Sequence, residues 1–144
     1  VKVVGVDSNK ADLDGGEVGR HKYDPIREMF SEKSSLKIFA LHHHLVHVPG
    51  TGRERNIVWD AGDVLQQMRD MEVDIVLSGH KHVPYVWPLA RMYLITSGTA
   101  STWRTRGNTP PSFNLIEIKS EEITVEVVSS ADGSRLTATY PRWL

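Results

Sequence analysis

The 144-residue sequence contains no cysteine, which excludes a disulfide framework and every thiolate metal ligand. It also lacks any apolar run near the ~18 residues of a membrane-spanning helix, and no basic stretch with an apolar signal core opens it. Charge of one sign is missing too: 17 Lys and Arg stand against 18 Asp and Glu, a formal net charge of -1. Without a basic field there is no electrostatic drive toward nucleic acid or an anionic membrane, so neither partner is expected. A reducing, cytoplasmic setting is the default expectation. What remains is ordinary globular material, 40% hydrophobic and 24% charged, with no linker between two self-sufficient halves. A single domain over residues 1–144 is the expectation.

The order of elements follows from periodicity and turn chemistry. Val1 to Val6 is rich in β-branched residues and carries no initiator methionine, so it reads as a buried strand and the numbering is expected to begin inside a domain. Asp24 is placed to cap a helix with Pro25 at its first position and Ile26, Met29 and Phe30 on its apolar face. Leu36 to Leu41 is a short strand running into His42-His43-His44. From Asp60 to about Glu72, Val64, Leu65, Met68 and Met71 recur at helical spacing. Val73 to Leu77 is a second strand running into Gly79-His80-Lys81-His82. This is a β-α-β unit with both histidine segments at carboxyl strand ends, the edge where α/β sheets gather their ligands. Downstream, Met92 to Thr96, Phe113 to Ile118 and Ile123 to Val128 read as strands, the last two as a hairpin, and Leu136 to Tyr140 as a final strand.

Six of the 7 histidines fall in the two windows His42 to His47 and His80 to His82. Neutral imidazole is a metal ligand available at neutral pH. Two histidines two apart share one side of an extended chain, and Gly79 would let the backbone turn sharply. His21 and His47 read instead as hydrogen-bonded structural residues. Arg53 and Arg55, in a loop, could meet a phosphate or stand in solvent, while Trp103, Arg104 and Arg106 could rim a pocket or serve packing.

Ile38-Phe39-Ala40-Leu41-His42-His43-His44, followed by Leu77-Ser78-Gly79-His80-Lys81-His82 and then by Thr96-Ser97-Gly98-Thr99-Ala100-Ser101, resembles the calcineurin-like metallophosphoesterases. The likeness is to the cyclic-nucleotide phosphodiesterase and glycerophosphodiesterase branch, and Val4-Gly5-Val6-Asp7-Ser8 is similar to a strand after that family's central motifs. The resemblance implies a dimetal centre in the complete enzyme, with Mn, Fe or Zn as the divalent ions and a phosphate-ester small molecule as substrate. It implies metal ligands at His42 and His80 on one ion and at His82 on the other, with His43 the alternative to His42. The family's Asp-x-His, Gly-Asp-x-x-Asp and Gly-Asn-His motifs have no counterpart in order. Gly62-Asp63 and Gly107-Asn108 imitate the last two out of sequence, and no catalytic residue is assigned.

The expected fold is therefore α/β, the C-terminal half of a layered metallophosphoesterase fold with two facing β-sheets flanked by helices, ending in an antiparallel hairpin. Such a half leaves apolar surface for a complementing N-terminal half or a second copy of the chain to cover. The competing expectation is a domain that binds metal or a partner without turnover.

Overall fold

In β3 (Ile75–Ser78) and β5 (Met92–Thr96), successive apolar side chains point to opposite faces of one sheet, as the two-residue period of a strand requires. Val76, Met92 and Leu94 join one core, Ile75, Tyr93 and Ile95 another. The computed structural model describes residues 1–52, 56–106 and 109–143. Arg53, Arg55, Gly107 and Asn108 lie outside the described residues.

β1 (Lys2–Val6), β2 (Lys37–Leu41), β3 and β5 run parallel, and β4 (Tyr85–Leu89) closes the sheet antiparallel to β5, giving the order β1-β2-β3-β5-β4. β5, covered on both faces, is buried along its whole length. Sequence reasoning assigned no strand to β4, which contains Pro88. An edge strand tolerates a proline because one side of it needs no ladder donor.

Helices α1 (Tyr23–Phe30) and α2 (Ala61–Asp70) cover one face. Ile26 and Phe30 from α1 and Val64 and Met68 from α2 pack on Val4, Phe39 and Leu94. Met29, expected on the apolar side of α1, is 47% exposed. No side chain caps α1: the helix begins at Tyr23, one residue before the expected cap, so Asp24 lies inside the first turn and pairs with Arg27 at 3.0 Å. The other face packs against an antiparallel sheet of β6 (Ser112–Ile118), β7 (Glu122–Ser129) and β8 (Arg135–Pro141), whose Ile123 and Val125 meet Ile75, Tyr93 and Ile95. The layers are thus helices, mixed sheet and antiparallel sheet. At the sheet edges, Val3 of β1 is 60% and Leu136 of β8 74% exposed. Among the described residues no helix is long and apolar enough to cross a membrane.

Asp60 ties the long loop after β1 to the start of α2. Its carboxylate accepts the Val18 and Gly19 N–H groups at 2.9 and 2.8 Å and the Tyr23 hydroxyl at 2.7 Å. It was read as a helix start, but its side chain leaves the first turn of α2 uncapped and serves this loop. Burial alone would raise the Asp60 pKa, and the hydrogen bonds outweigh it and hold the carboxyl below its ordinary range. Burial and Asp60 together push the Tyr23 hydroxyl upward.

Candidate metal centre

β2 ends at Leu41 and β3 at Ser78, so the segments that follow leave the sheet side by side. A hydrogen bond from Gly79 N to the His42 carbonyl, 3.0 Å, joins them, and Ser97 N donates to Ser78 at 2.9 Å beyond β5. The histidines after both strands are thereby brought to one place. Among the described residues, His42, His43 and His80 form a group whose candidate ligand atoms all lie within 4.8 Å of one another.

Within this group the three rings are not equivalent. His42 Nε2 and His80 Nδ1 stand 3.1 Å apart, with the rings edge to face. His42 is exposed and His80 half-buried. Burial first, and then the neighbouring His43, His42, His44 and Lys81, push the His80 pKa down to about 4, so its ring is neutral and carries a lone pair at neutral pH. His43 is buried, with Nδ1 2.9 Å from Ser8 Oγ and Nε2 3.2 Å from the Asp14 carbonyl. A carbonyl only accepts, so Nε2 carries the proton. Ser8 Oγ accepts the His43 backbone N–H at 3.1 Å and can donate its own proton to Nδ1. Both ring nitrogens of His43 are thus engaged by the protein. Gly16 closes this pocket, since a Cβ there would lie 2.5 Å from the His43 ring. Burial also lowers the His43 pKa, which keeps it neutral.

His82 lies outside the group of three. Its Nδ1 is 2.7 Å from the Arg104 carbonyl, which makes Nδ1–H the donor and leaves the Nε2 lone pair for another ligand. The segment is not extended: His80 and His82 adopt left-handed φ values of 69° and 59°, and Lys81 N donates back to the Gly79 carbonyl at 2.9 Å. The turn falls on the histidines rather than on Gly79. Left-handed backbone at residues with a Cβ costs about 1–3 kcal/mol each and clusters at functional sites. Lys81 between them is buried.

The donor set fits a divalent ion. Two imidazole nitrogens that bind one Zn at ~2.0–2.1 Å come within roughly 3–3.4 Å of each other, and His42 Nε2 and His80 Nδ1 are at 3.1 Å. No carboxylate belongs to the group among the described residues. Asp63 of the Gly62-Asp63 imitation pairs with Arg20 at 3.1 Å instead. Trp103 is 75% exposed, and Arg104 reaches the site through its backbone carbonyl. The part played by Ser8 and Gly16 escaped sequence reasoning, although Asp7-Ser8 directly after β1 is the kind of strand end where a site partner belongs.

No family profile matches the chain, and no curated protein matches it either. Among solved structures, GAP50, described as the anchor in the inner membrane complex of Plasmodium, overlays with a TM-score of 0.77 at 18% identity, covering 99% of this chain and 49% of its own. The chain therefore spans about half the length of that structure, and the likeness is one of fold. Weaker overlays are with a Streptococcus pneumoniae protein described as a predicted phosphoesterase (TM-score 0.48, 15% identity, 97% of each chain). Zinc-complexed Vps29 of Entamoeba histolytica is another (TM-score 0.45, 19% identity, 96% of this chain and 98% of that one). The chain itself is an α/β architecture with one mixed and one antiparallel sheet.

Proposed function

We propose that this chain carries the histidine side of a divalent-metal site and belongs to a protein that, when complete, hydrolyses phosphate esters. The observation that carries the proposal is the approach of His42 Nε2 to His80 Nδ1, 3.1 Å, from two separate strand ends. His42 and His80 hold one ion, and His82, oriented by the Arg104 carbonyl, offers Nε2 to a second. Bound there, Mn, Fe or Zn would lower the pKa of a coordinated water and polarise a phosphoryl oxygen. His43 serves as a buttress, fixed by Ser8 and Asp14.

Among the described residues the donor group is all imidazole, and the reading assigns the bridging carboxylate and the remaining ligands to a complementing N-terminal half or a second copy of the chain. The exposed Val3 and Leu136 on edge strands support such a complement, because unpaired apolar edges recruit strands. The same all-imidazole donor set favours a second reading, a domain that binds metal or a partner and does not turn over substrate.

The test is calorimetric titration of the 144-residue chain with zinc and manganese, beside a hydrolysis assay with bis(p-nitrophenyl) phosphate. Metal binding that His42→Ala and His80→Ala each weaken, with no turnover by the chain alone, is expected. Turnover appearing only with a carboxylate-bearing complement selects the hydrolase over the binding domain. Metal binding indifferent to both substitutions ends the proposal.

A further inference from the structure

At the opposite end of the mixed sheet from the histidines, a cavity of 940 Å³ opens among the amino ends of β2, β3 and β5. Across the five residues of β2 the two places are roughly 16 Å apart. The cavity lies in the size range of small-molecule sites. It is assembled from remote segments: Lys33 after α1, Lys37 at the head of β2, Arg69 in α2, Arg91 in the turn before β5, and Arg142 with Trp143 after β8.

We infer that this basic cavity binds a small aromatic phosphate, of the chemical class of a nucleoside monophosphate. Of the cations that line it, Lys33, Lys37 and Arg142 face two lining carboxylates, Glu72 and Asp74, while Arg69 is paired with Asp70 at 3.3 Å. What matters is how the cations are held. The Lys37 ammonium donates to the Met71 carbonyl at 2.7 Å. The Arg142 guanidinium donates to the carbonyls of Lys119, at 3.2 Å, and Ser35. Lys33 is exposed. Among the described residues none of these three cations meets a carboxylate. Carbonyl acceptors fix a cation in place without cancelling its charge, which leaves directed positive potential in a concave wall. Of the two carboxylates, Asp74 is committed to the backbone N–H of Lys37 at 2.7 Å.

The other half of the specificity is apolar. Trp143 lies flat on Tyr93, with ring centroids 4.6 Å apart and an interplanar angle of 9°. The indole is thus held rigidly while it lines the cavity, beside the buried Val73 and Met92. An indole fixed on one side offers a stacking platform on the other. Phosphate on the cations and a flat ring on Trp143 satisfy both parts of the lining, which neither inorganic phosphate nor a neutral nucleoside does.

The inference is independent of the metal centre, and the experiment keeps the two apart. Binding of AMP, adenosine and inorganic phosphate to the full 144-residue chain is measured by calorimetry in EDTA. AMP is expected to bind at least tenfold tighter than either fragment, and more weakly as salt rises. Lys33→Glu, at an exposed position that leaves the core intact, weakens AMP at least fivefold, and Trp143→Leu does so as well. His42→Ala and His80→Ala leave AMP binding unchanged. Equal affinity for AMP and adenosine, no response to Lys33→Glu, or loss of binding in His42→Ala would each overturn the assignment.

Discussion

The two ends of the mixed sheet solve opposite problems with the same strands. At the carboxyl end, burial keeps His80 neutral, and His42 presents its nitrogen 3.1 Å away, an arrangement suited to a cation. At the amino end, Lys37 and Arg142 lean on carbonyl oxygens, an arrangement suited to an anion. The difference teaches that burial, which keeps a histidine neutral, and uncharged acceptors, which leave a cation's charge uncancelled, decide what each end of the sheet can attract. The histidine end also stores backbone strain in His80 and His82.

The comparison breaks most severely if the shared strands are damaged. Phe39, fully buried in β2 between the two ends, should cost about 3–5 kcal/mol as Phe39→Ala, read by urea unfolding, and both binding functions should fall with it. Loss at one end alone would mean that the ends fold independently. Next in size, His80→Ala should weaken zinc binding by about 100-fold, as removal of a ligand does, while AMP binding in EDTA is unmoved. Parallel titrations check this.

Asp60→Ala strips the acceptor from the Val18 and Gly19 amides and should destabilise by about 1–3 kcal/mol at pH 7. The sign with pH is defined. A folded pKa held below the ordinary value of 3.8 contributes stability that is fully present above that value and lost as pH falls through the folded pKa. The penalty of Asp60→Asn should therefore be largest near neutrality and shrink below about pH 4, as unfolding curves at pH 7 and pH 3 would show. The smallest effect sharpens the strain argument: His82→Gly and His82→Ala both lose the bond to the Arg104 carbonyl, and in the metal-free chain the glycine variant should be the more stable by about 0.5–1 kcal/mol, because only glycine accepts the left-handed backbone freely. An alanine variant as stable as the glycine one would show that φ at position 82 costs nothing.

Much of this was legible in the residues. The strands before each histidine segment stand out because Leu36 to Leu41 and Val73 to Leu77 are short apolar runs with polar turns beyond, and parallel pairing then aligns their ends. α2 was readable from Val64, Met68 and Met71, all buried. β4 was not, because Pro84 and Pro88 argue locally against a strand and only an edge position excuses them. The apolar helical spacing marks Asp60 as no more than the place where α2 begins. Its true partners, Val18, Gly19 and Tyr23, lie far back in the chain. His42 and His43 could not be ranked from adjacency. Burial against Ser8, Asp14 and Gly16 separates a fixed ring from one that is exposed.

By itself the sequence determined that two histidine segments sit at the carboxyl ends of short apolar strands, since those follow from local apolar runs and the strand period, while β1, expected to be buried on the same grounds, exposes Val3 at the sheet edge. Only the tertiary structure decided that His80 turns toward His42 while His82 turns toward Arg104. It alone brought Lys33, Lys37 and Arg142 around one cavity. Both depend on backbone φ and on contacts between residues remote in the chain, which no local pattern of residue types encodes.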